Sequence, residues 1–319
     1  MTKQNFAEKA PIKVHSKYLN IGLNYSLFSN VTFFLKTNDS IENLYLSKFP
    51  NSTNSNLSIK IDIFNKTLCP MIPVNLSGRI PVNTNFDGTF DDLENSLSNL
   101  GIEKGGSWSP KECNAKYKKQ QIEYGIYLVE PLQNLTFNRG LLMNIGFIES
   151  LKQTNETWEC FIFHDVDLIP EDDRNIYSCP EQPRHMSSAV STFNYRLPYD
   201  GIFGGVSALT KEQMEKVNGY SNLYFGWGGE DDDFRTRIVK NNFKISRYPL
   251  EIGRYYMAGH TRDQEINSER FKLLNAAVTR MKTDGLNSLE YRVNDTIISK
   301  LFTKVVVSYD QNGLLKKKY

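Results

Sequence analysis

Apolar and polar positions divide this chain into a loose first part and a patterned second part. Residues 1 to about 68 are polar, rich in Asn and Ser and weakly periodic, as expected of a stem or lead-in that cannot bury a core. Within them Val31-Thr-Phe-Phe-Leu35 is an apolar run too short for the core of a signal peptide. From Cys69 to Cys113, prolines and glycines (Pro70, Pro73, Gly78, Pro81, Gly105, Gly106) punctuate the chain and predict irregular, extended structure. Ile126-Tyr-Leu-Val129 predicts a strand. Arg139 to Leu151 carries Leu141, Leu142, Ile145, Ile148 and Leu151 at helical spacing. Cys160 to Val166 predicts a second strand, so strand, helix and strand form a right-handed crossover. This second run ends at Asp165 and Asp167 and then Pro170. It reads as a buried strand whose C-terminal end opens into a crevice, where open α/β sheets bind ligands.

Composition adds boundaries more than content. At 319 residues, with 39% hydrophobic and 12% aromatic side chains, the chain can bury one sizeable core and has room for one or two domains. A formal charge of +2 gives no reason to expect nucleic acid, and Lys316-Lys-Lys318 is most simply a solvated end. Cys69, Cys113, Cys160 and Cys179 allow three pairings and lack zinc-finger spacing. Asn-x-Ser/Thr sequons begin at Asn24, Asn30, Asn38, Asn51, Asn56, Asn65, Asn75, Asn134, Asn155 and Asn294, and with the cysteines they favour a lumenal or secreted chain. No stretch approaches the roughly 18 to 20 apolar residues of a membrane span.

Candidate chemistry concentrates downstream of the aspartate pair. Phe225-Gly-Trp227-Gly-Gly-Glu230-Asp231-Asp232-Asp233 sets an aromatic in a glycine-rich loop and follows it with four acids. Those acids suit the first turn of a helix from Phe234 to Phe243, but a helix start does not explain the tryptophan, which suits a lid stacking on a sugar ring. A calcium loop fits poorly, because the run lacks alternating ligands and a turn glycine. Met257 and His260, three residues apart, form with the Asp165/Asp167 strand end a mixed oxygen, sulfur and nitrogen set for a borderline divalent ion.

These residues carry a resemblance to the β1,4-galactosyltransferase family, dense from about Ile122 to Leu289. It rests on Phe137-Asn-Arg139, Phe163-His-Asp165-Val-Asp167-Leu-Ile-Pro170, Gln182-Pro-Arg-His185, Leu197-Pro-Tyr199, Phe203-Gly-Gly-Val-Ser-Ala208, Gly226-Trp-Gly-Gly-Glu-Asp-Asp-Asp233, His260-Thr-Arg-Asp263 and Asp284-Gly-Leu-Asn-Ser-Leu289. The resemblance implies a GT-A-like α/β fold with a mixed central sheet, formed by a catalytic domain over residues 69–319 behind the lead-in. It also implies an inverting, Mn2+-dependent transferase that moves Gal or GalNAc from a UDP-sugar to the 4-hydroxyl of a terminal GlcNAc. Asp167, Met257 and His260 correspond to the manganese ligands. Phe137, Arg139, Asp165, Val166, Ile202 and Trp227 correspond to the donor side. Tyr199, Gly205, Trp227, Asp231, Asp232, Arg270, Phe271 and Leu274 correspond to the acceptor side. Asp231 is the expected catalytic base, with Glu230 beside it orienting acceptor and loop. The family pairs Cys69 with Cys113 and Cys160 with Cys179, closes a lid over Ala258 to Ala276 hinged near Met257, and resides in the Golgi behind a membrane anchor that this chain does not show. A relative that binds carbohydrate but has lost effective donor binding is the alternative.

The chain departs from the family pattern at four places. Between Cys113 and Ile126 the family has a strand ending in Pro-Phe-Arg-Asn-Arg and a helix; here Asn114 to Gly125 offers neither, so one strand-helix unit of the nucleotide-binding sheet is expected to be missing. Ile202 stands where vertebrate members carry a tyrosine that crowds the donor's C2 substituent, which leaves room for an N-acetyl group. Thr192 replaces a frequent lysine, and the His260 to Arg270 link is two residues shorter than in vertebrate members.

Overall fold

The computed structural model describes residues 31–36, 76, 78–82, 89–96, 123–132, 135–152, 158–259 and 266–316. An eight-stranded mixed sheet organises them. Its strands, numbered along the chain, are β1 (Val31–Lys36), β2 (Glu123–Pro131), β3 (Cys160–His164), β5 (Arg184–His185), β7 (Val206–Thr210), β8 (Ser246–Arg247), β10 (Arg292–Ile298) and β11 (Thr303–Ser308). Their order across the sheet is β10-β11-β2-β1-β3-β7-β5-β8. A smaller sheet, β4 (Leu168–Pro170), β9 (Arg254–Met257) and β6 (Ala189–Val190) in that order, stands at the end of β3. Helices are α1 (Phe90–Ser96), α2 (Arg139–Lys152), α3 (Lys211–Lys216), α4 (Glu230–Lys240), α5 (Arg270–Asn275), α6 (Ala277–Arg280) and α7 (Gln311–Lys316).

Strand β3 explains why its sequence is apolar without alternation. Phe161 and Phe163 enter one core with Leu141, Leu142, Ile145 and Phe147 of α2 and Phe234 and Ile238 of α4. Cys160 and Ile162 enter a second core on the opposite face with Leu168, Met186, Val206 and Tyr255. A strand covered on both faces has no polar side to show. Burying each of these large side chains contributes roughly 1.5–3 kcal/mol. A disulfide from Cys160 to Cys179, with Cα atoms 5.3 Å apart, fixes the start of β3 to the loop before β5. Cys69 and Cys113 lie outside the described residues.

The expected gap in the sheet is filled from an unexpected place. Strands β2 and β3 both run antiparallel to β1, which pairs with β2 from Val31↔Leu128 to Lys36↔Glu123 and with β3 from Val31↔His164 to Leu35↔Cys160. The apolar run of the polar lead-in is thus the strand between them, while the link from Cys113 to Ile122 lies outside the described residues. The run was hard to place because six residues in a polar context have no period that distinguishes a buried strand from any other apolar stretch. β2, α2 and β3 still make the expected crossover in one respect: β2 and β3 are parallel to each other, one strand apart.

Because β1 is paired on both sides, Phe34→Pro removes a ladder hydrogen bond in mid-sheet. A loss of about 1–3 kcal/mol in urea unfolding is expected, and an unchanged midpoint would place residues 31–36 outside the sheet.

Candidate active site

The site forms where β3, β7 and the N-termini of α2 and α4 meet. After His164 the chain does not continue as a strand: Leu168 N donates to Asp165 O (3.1 Å), making a tight turn that carries Asp165, Val166 and Asp167 into β4. A buried relay supports this turn. Tyr255 Oη donates to Tyr177 Oη (3.1 Å), and His164 lies 2.8 Å from Tyr177 Oη through Nε2 and 2.8 Å from Asp165 O through Nδ1. A carbonyl only accepts, so the proton sits on Nδ1 and Tyr177 donates to Nε2. Burial lowers the His164 pKa to about 4, so the ring is neutral at ordinary pH.

Arg139, the first residue of α2, reaches across this end of the sheet. Its Nε donates to Asp165 Oδ1 (2.6 Å) and Nη2 to Gly205 O (3.3 Å), and Nη1 lies 3.7 Å from Glu230 Oε1. Nη1 is buried and has no hydrogen-bond acceptor among the described residues. Phe137 is half-buried against the first core, and its carbonyl accepts from Gly226 N (2.8 Å), tying the α2 start to the glycine loop. The three glycines of that loop, Gly226, Gly228 and Gly229, have φ of 81°, 103° and 99°, a region that side chains resist.

Four acids follow on α4, and the structure separates their roles. Asp233 is fully buried, accepting from Tyr224 Oη (2.9 Å), Arg237 Nε (2.6 Å) and Arg280 Nη2 (2.9 Å). Arg237 and Arg280 also bind Asp284. Asp233 therefore holds α4 to α6 and the 284 turn, and the first-turn explanation undersold it. Glu230, Asp231 and Asp232 instead lie against Arg139, Gly204 and Tyr199 respectively. Burial, reinforced by Asp231, pushes Glu230 up to about 8, with Arg139 opposing. Burial and then Asp232 raise Asp231. Asp231 packs against Gly204, where an added Cβ would sit 2.6 Å from Oδ2. Tyr199 Oη donates to Asp232 Oδ1 (3.0 Å).

Around this centre, the remaining expected residues fall into two groups. Trp227 is 66% exposed, and its carbonyl accepts from Asn267 N (3.1 Å). Arg270 packs beside Gly228 and Gly229 and stacks on the exposed Phe271 ring at 4.6 Å, with Leu274 further along the same helix. On the other side, β4 and β9 pair Leu168 with Met257, and Ala258 N donates to Asp167 O (2.7 Å), so Asp167 stands opposite Ala258, one step along from Met257. Thr192 Oγ1 donates to Met257 Sδ (3.3 Å). His260 lies outside the described residues. Among the described residues no three His, Cys, Asp or Glu side chains gather as a metal site. Asp167 and Met257 bring an oxygen-bearing and a sulfur-bearing side chain to adjoining positions at this end of the small sheet.

The residues that sequence reasoning gave no role are His185 and Arg247. Arg247 Nε donates to His185 Nδ1 (3.0 Å), and Nη2 donates to Asp200 O (2.9 Å) and Ile202 O (2.8 Å). His185 Nε2 then donates to Gly204 O (3.0 Å). Burial and the Arg247 charge lower His185 to about 3, which keeps this tautomer neutral. The pair clamps the turn that presents Tyr199 and Ile202 and the glycine that receives Asp231. Only the Pro-Arg-His motif hinted at it; nothing in the sequence marks Arg247.

Two family models match the chain: the N-terminal region of glycosyl transferase group 7 over residues 117–180, and the N-terminal domain of galactosyltransferase over 184–261. It is 38% identical over 294 residues to human β-1,4-galactosyltransferase 4, covering 83% of each chain. It is 40% identical over 267 residues to Cricetulus griseus β-1,4-galactosyltransferase 2, covering 75% of this chain and 72% of that one. A solved structure of the Drosophila β1,4-galactosyltransferase 7 catalytic domain with xylobiose aligns at 23% identity over 58% of this chain and 79% of that one, with a TM-score of 0.48.

Glu230 binds its proton more tightly folded than unfolded, so its contribution to stability is complete below about pH 4.5 and lost as pH rises through about 8. In urea melts, the native chain should lose stability between pH 5 and 9 that Glu230→Gln keeps; parallel pH profiles would refute the shift. Asp233→Ala, by contrast, should cost about 3–5 kcal/mol at either pH, since it leaves two buried arginines to share the single carboxylate of Asp284.

Proposed function

The chain belongs to the β1,4-galactosyltransferase family, and on that footing we propose that it transfers Gal or GalNAc from a UDP-sugar to the 4-hydroxyl of a terminal GlcNAc, in the Golgi lumen, with inversion. The observation that carries the proposal is the convergence of Arg139, Asp165, Glu230 and Asp231 at one end of the sheet. Asp231, packed against Gly204, is the general base in this reading and takes the acceptor hydroxyl's proton as that oxygen attacks the donor's anomeric carbon and UDP departs. Glu230, protonated up to about pH 8, donates a hydrogen bond toward the acceptor and adds no second negative charge. The unmet Nη1 of Arg139 faces the donor side, where a phosphate or uracil oxygen would accept from it. Trp227 stands exposed above the glycine loop as a stacking surface for a sugar ring, and Arg270, Phe271 and Leu274 line the acceptor side beyond it. Asp167, Met257 and His260 would hold a manganese ion, which when bound neutralises the departing diphosphate.

Donor choice turns on Ile202. Its carbonyl is held by Arg247, so the backbone of the turn is fixed and the side chain alone sets the space beside the donor's C2 position. A branched aliphatic there admits an N-acetyl group. A second reading has one observation in its favour: β1 fills the central place in the sheet but its sequence, Val31–Lys36, brings no arginine to the donor pocket. A chain that keeps acceptor binding and has lost donor binding would follow from that.

Transfer to a GlcNAc-terminated acceptor with manganese, run with UDP-GalNAc and UDP-Gal in parallel, tests the proposal. Activity that prefers UDP-GalNAc, moves toward UDP-Gal in Ile202→Tyr, and falls about 10²–10⁴-fold in Asp231→Asn is the expected result. A folded chain that binds GlcNAc and transfers neither sugar would leave only the second reading.

A further inference from the structure

We propose that Asn294 carries an N-linked glycan, and that this glycan shields an edge of the main sheet that is open among the described residues. The proposal rests on the lumenal part of the preceding reading, which the Cys160–Cys179 disulfide independently favours. Asn294-Asp295-Thr296 is an acceptor sequon on β10, the outermost strand at one end of the sheet. Sequons abound in this chain by composition, and what distinguishes this one is its setting. Pairing with β11 runs from Val293↔Val307 directly to Asp295↔Val306, so Asn294 is the extra residue of a β-bulge with no partner across the ladder. Asn294, Asp295 and Thr296 are all exposed, so both the amide and the hydroxyl that acceptor recognition requires are accessible on the folded surface.

The same strand poses a problem that a glycan would solve. Ile297 and Ile298, 45% and 59% exposed, follow directly on the edge. An edge strand with apolar side chains is a template for pairing with a second chain, and proteins blunt such edges with bulges, charges or cover. The bulge and Asp295 supply part of that protection, and a bulky hydrophilic group on Asn294 supplies the cover.

Chemically, Asn294 Nδ2 forms a bond to the anomeric carbon of an oligosaccharide carried on a lipid diphosphate. The bond from that carbon to the phosphate oxygen breaks, its electron pair leaves with the lipid diphosphate, and the amide proton passes to a base of the transferring enzyme.

The test is peptide mapping of the full chain expressed in eukaryotic cells, with enzymatic deglycosylation in heavy-oxygen water to mark former glycan sites. More than half occupancy at Asn294 is expected, lost in both Asn294→Gln and Thr296→Ala. Glycans at Asn75, Asn134 or Asn155 with none at Asn294 would overturn the proposal while leaving the lumenal reading intact. No glycan at any sequon would overturn both. Size-exclusion chromatography reads the shielding role: Asn294→Gln and Thr296→Ala should self-associate at concentrations where the glycosylated chain does not, and equal elution of all three would overturn that role.

Discussion

A buried guanidinium holds this structure's working end together. Arg139 is placed by the first turn of α2, yet its partners are Asp165 on the β3–β4 turn, Gly205 ahead of β7 and Glu230 at the start of α4. Four segments far apart in sequence thus share one cation. Removing a charge of this kind from its partners strands the others, which is why a buried pair is costly to break even where it adds little net stability. Its field also sets the chemistry: it opposes the rise that burial causes in Glu230 and Asp231, a rise reinforced at Glu230 by Asp231 and at Asp231 by Asp232.

Around that cation the architecture separates holding from working. Asp233, Arg237, Arg280 and Asp284 form a buried ionic network that fixes α4, leaving Glu230, Asp231 and Asp232 of the same first turn toward Arg139, Gly204 and Tyr199. Arg247 and His185 perform the same service for the Tyr199–Ile202 turn through backbone carbonyls. In both cases the side chains proposed to touch substrate lean on neighbours that have no need to touch it.

Much of this was legible in the sequence, and the exceptions have physical causes. The helix from Arg139 and the strand from Cys160 were readable because their apolar residues follow the period of their element or fill a doubly buried strand. The family followed from motifs around the site, and the α/β class shows in the mixed sheet and the helices packed on it. Strand β1 was not legible, because a run of six residues pairs with partners about 90 and 130 positions away and no local pattern encodes a register of that span. The two-residue strands β5, β6 and β8 exist only through their neighbours' ladders. The split of four consecutive acids into one buried ionic anchor and three left toward Arg139, Gly204 and Tyr199 depends on which side of the first turn of α4 meets α6, and so does not exist before the tertiary structure does.

The antiparallel β1 takes a central place in the sheet and its sequence holds no arginine, so in the proposed reading donor recognition rests on Arg139. The measurement that addresses this most directly is the UDP-dependent rise in melting temperature, with manganese, of the native chain and of Arg139→Lys, which keeps the charge and loses the fork. The account predicts a clear rise for the native chain and little or none for the variant while both remain folded. An equal rise in the two would contradict it and place donor binding elsewhere.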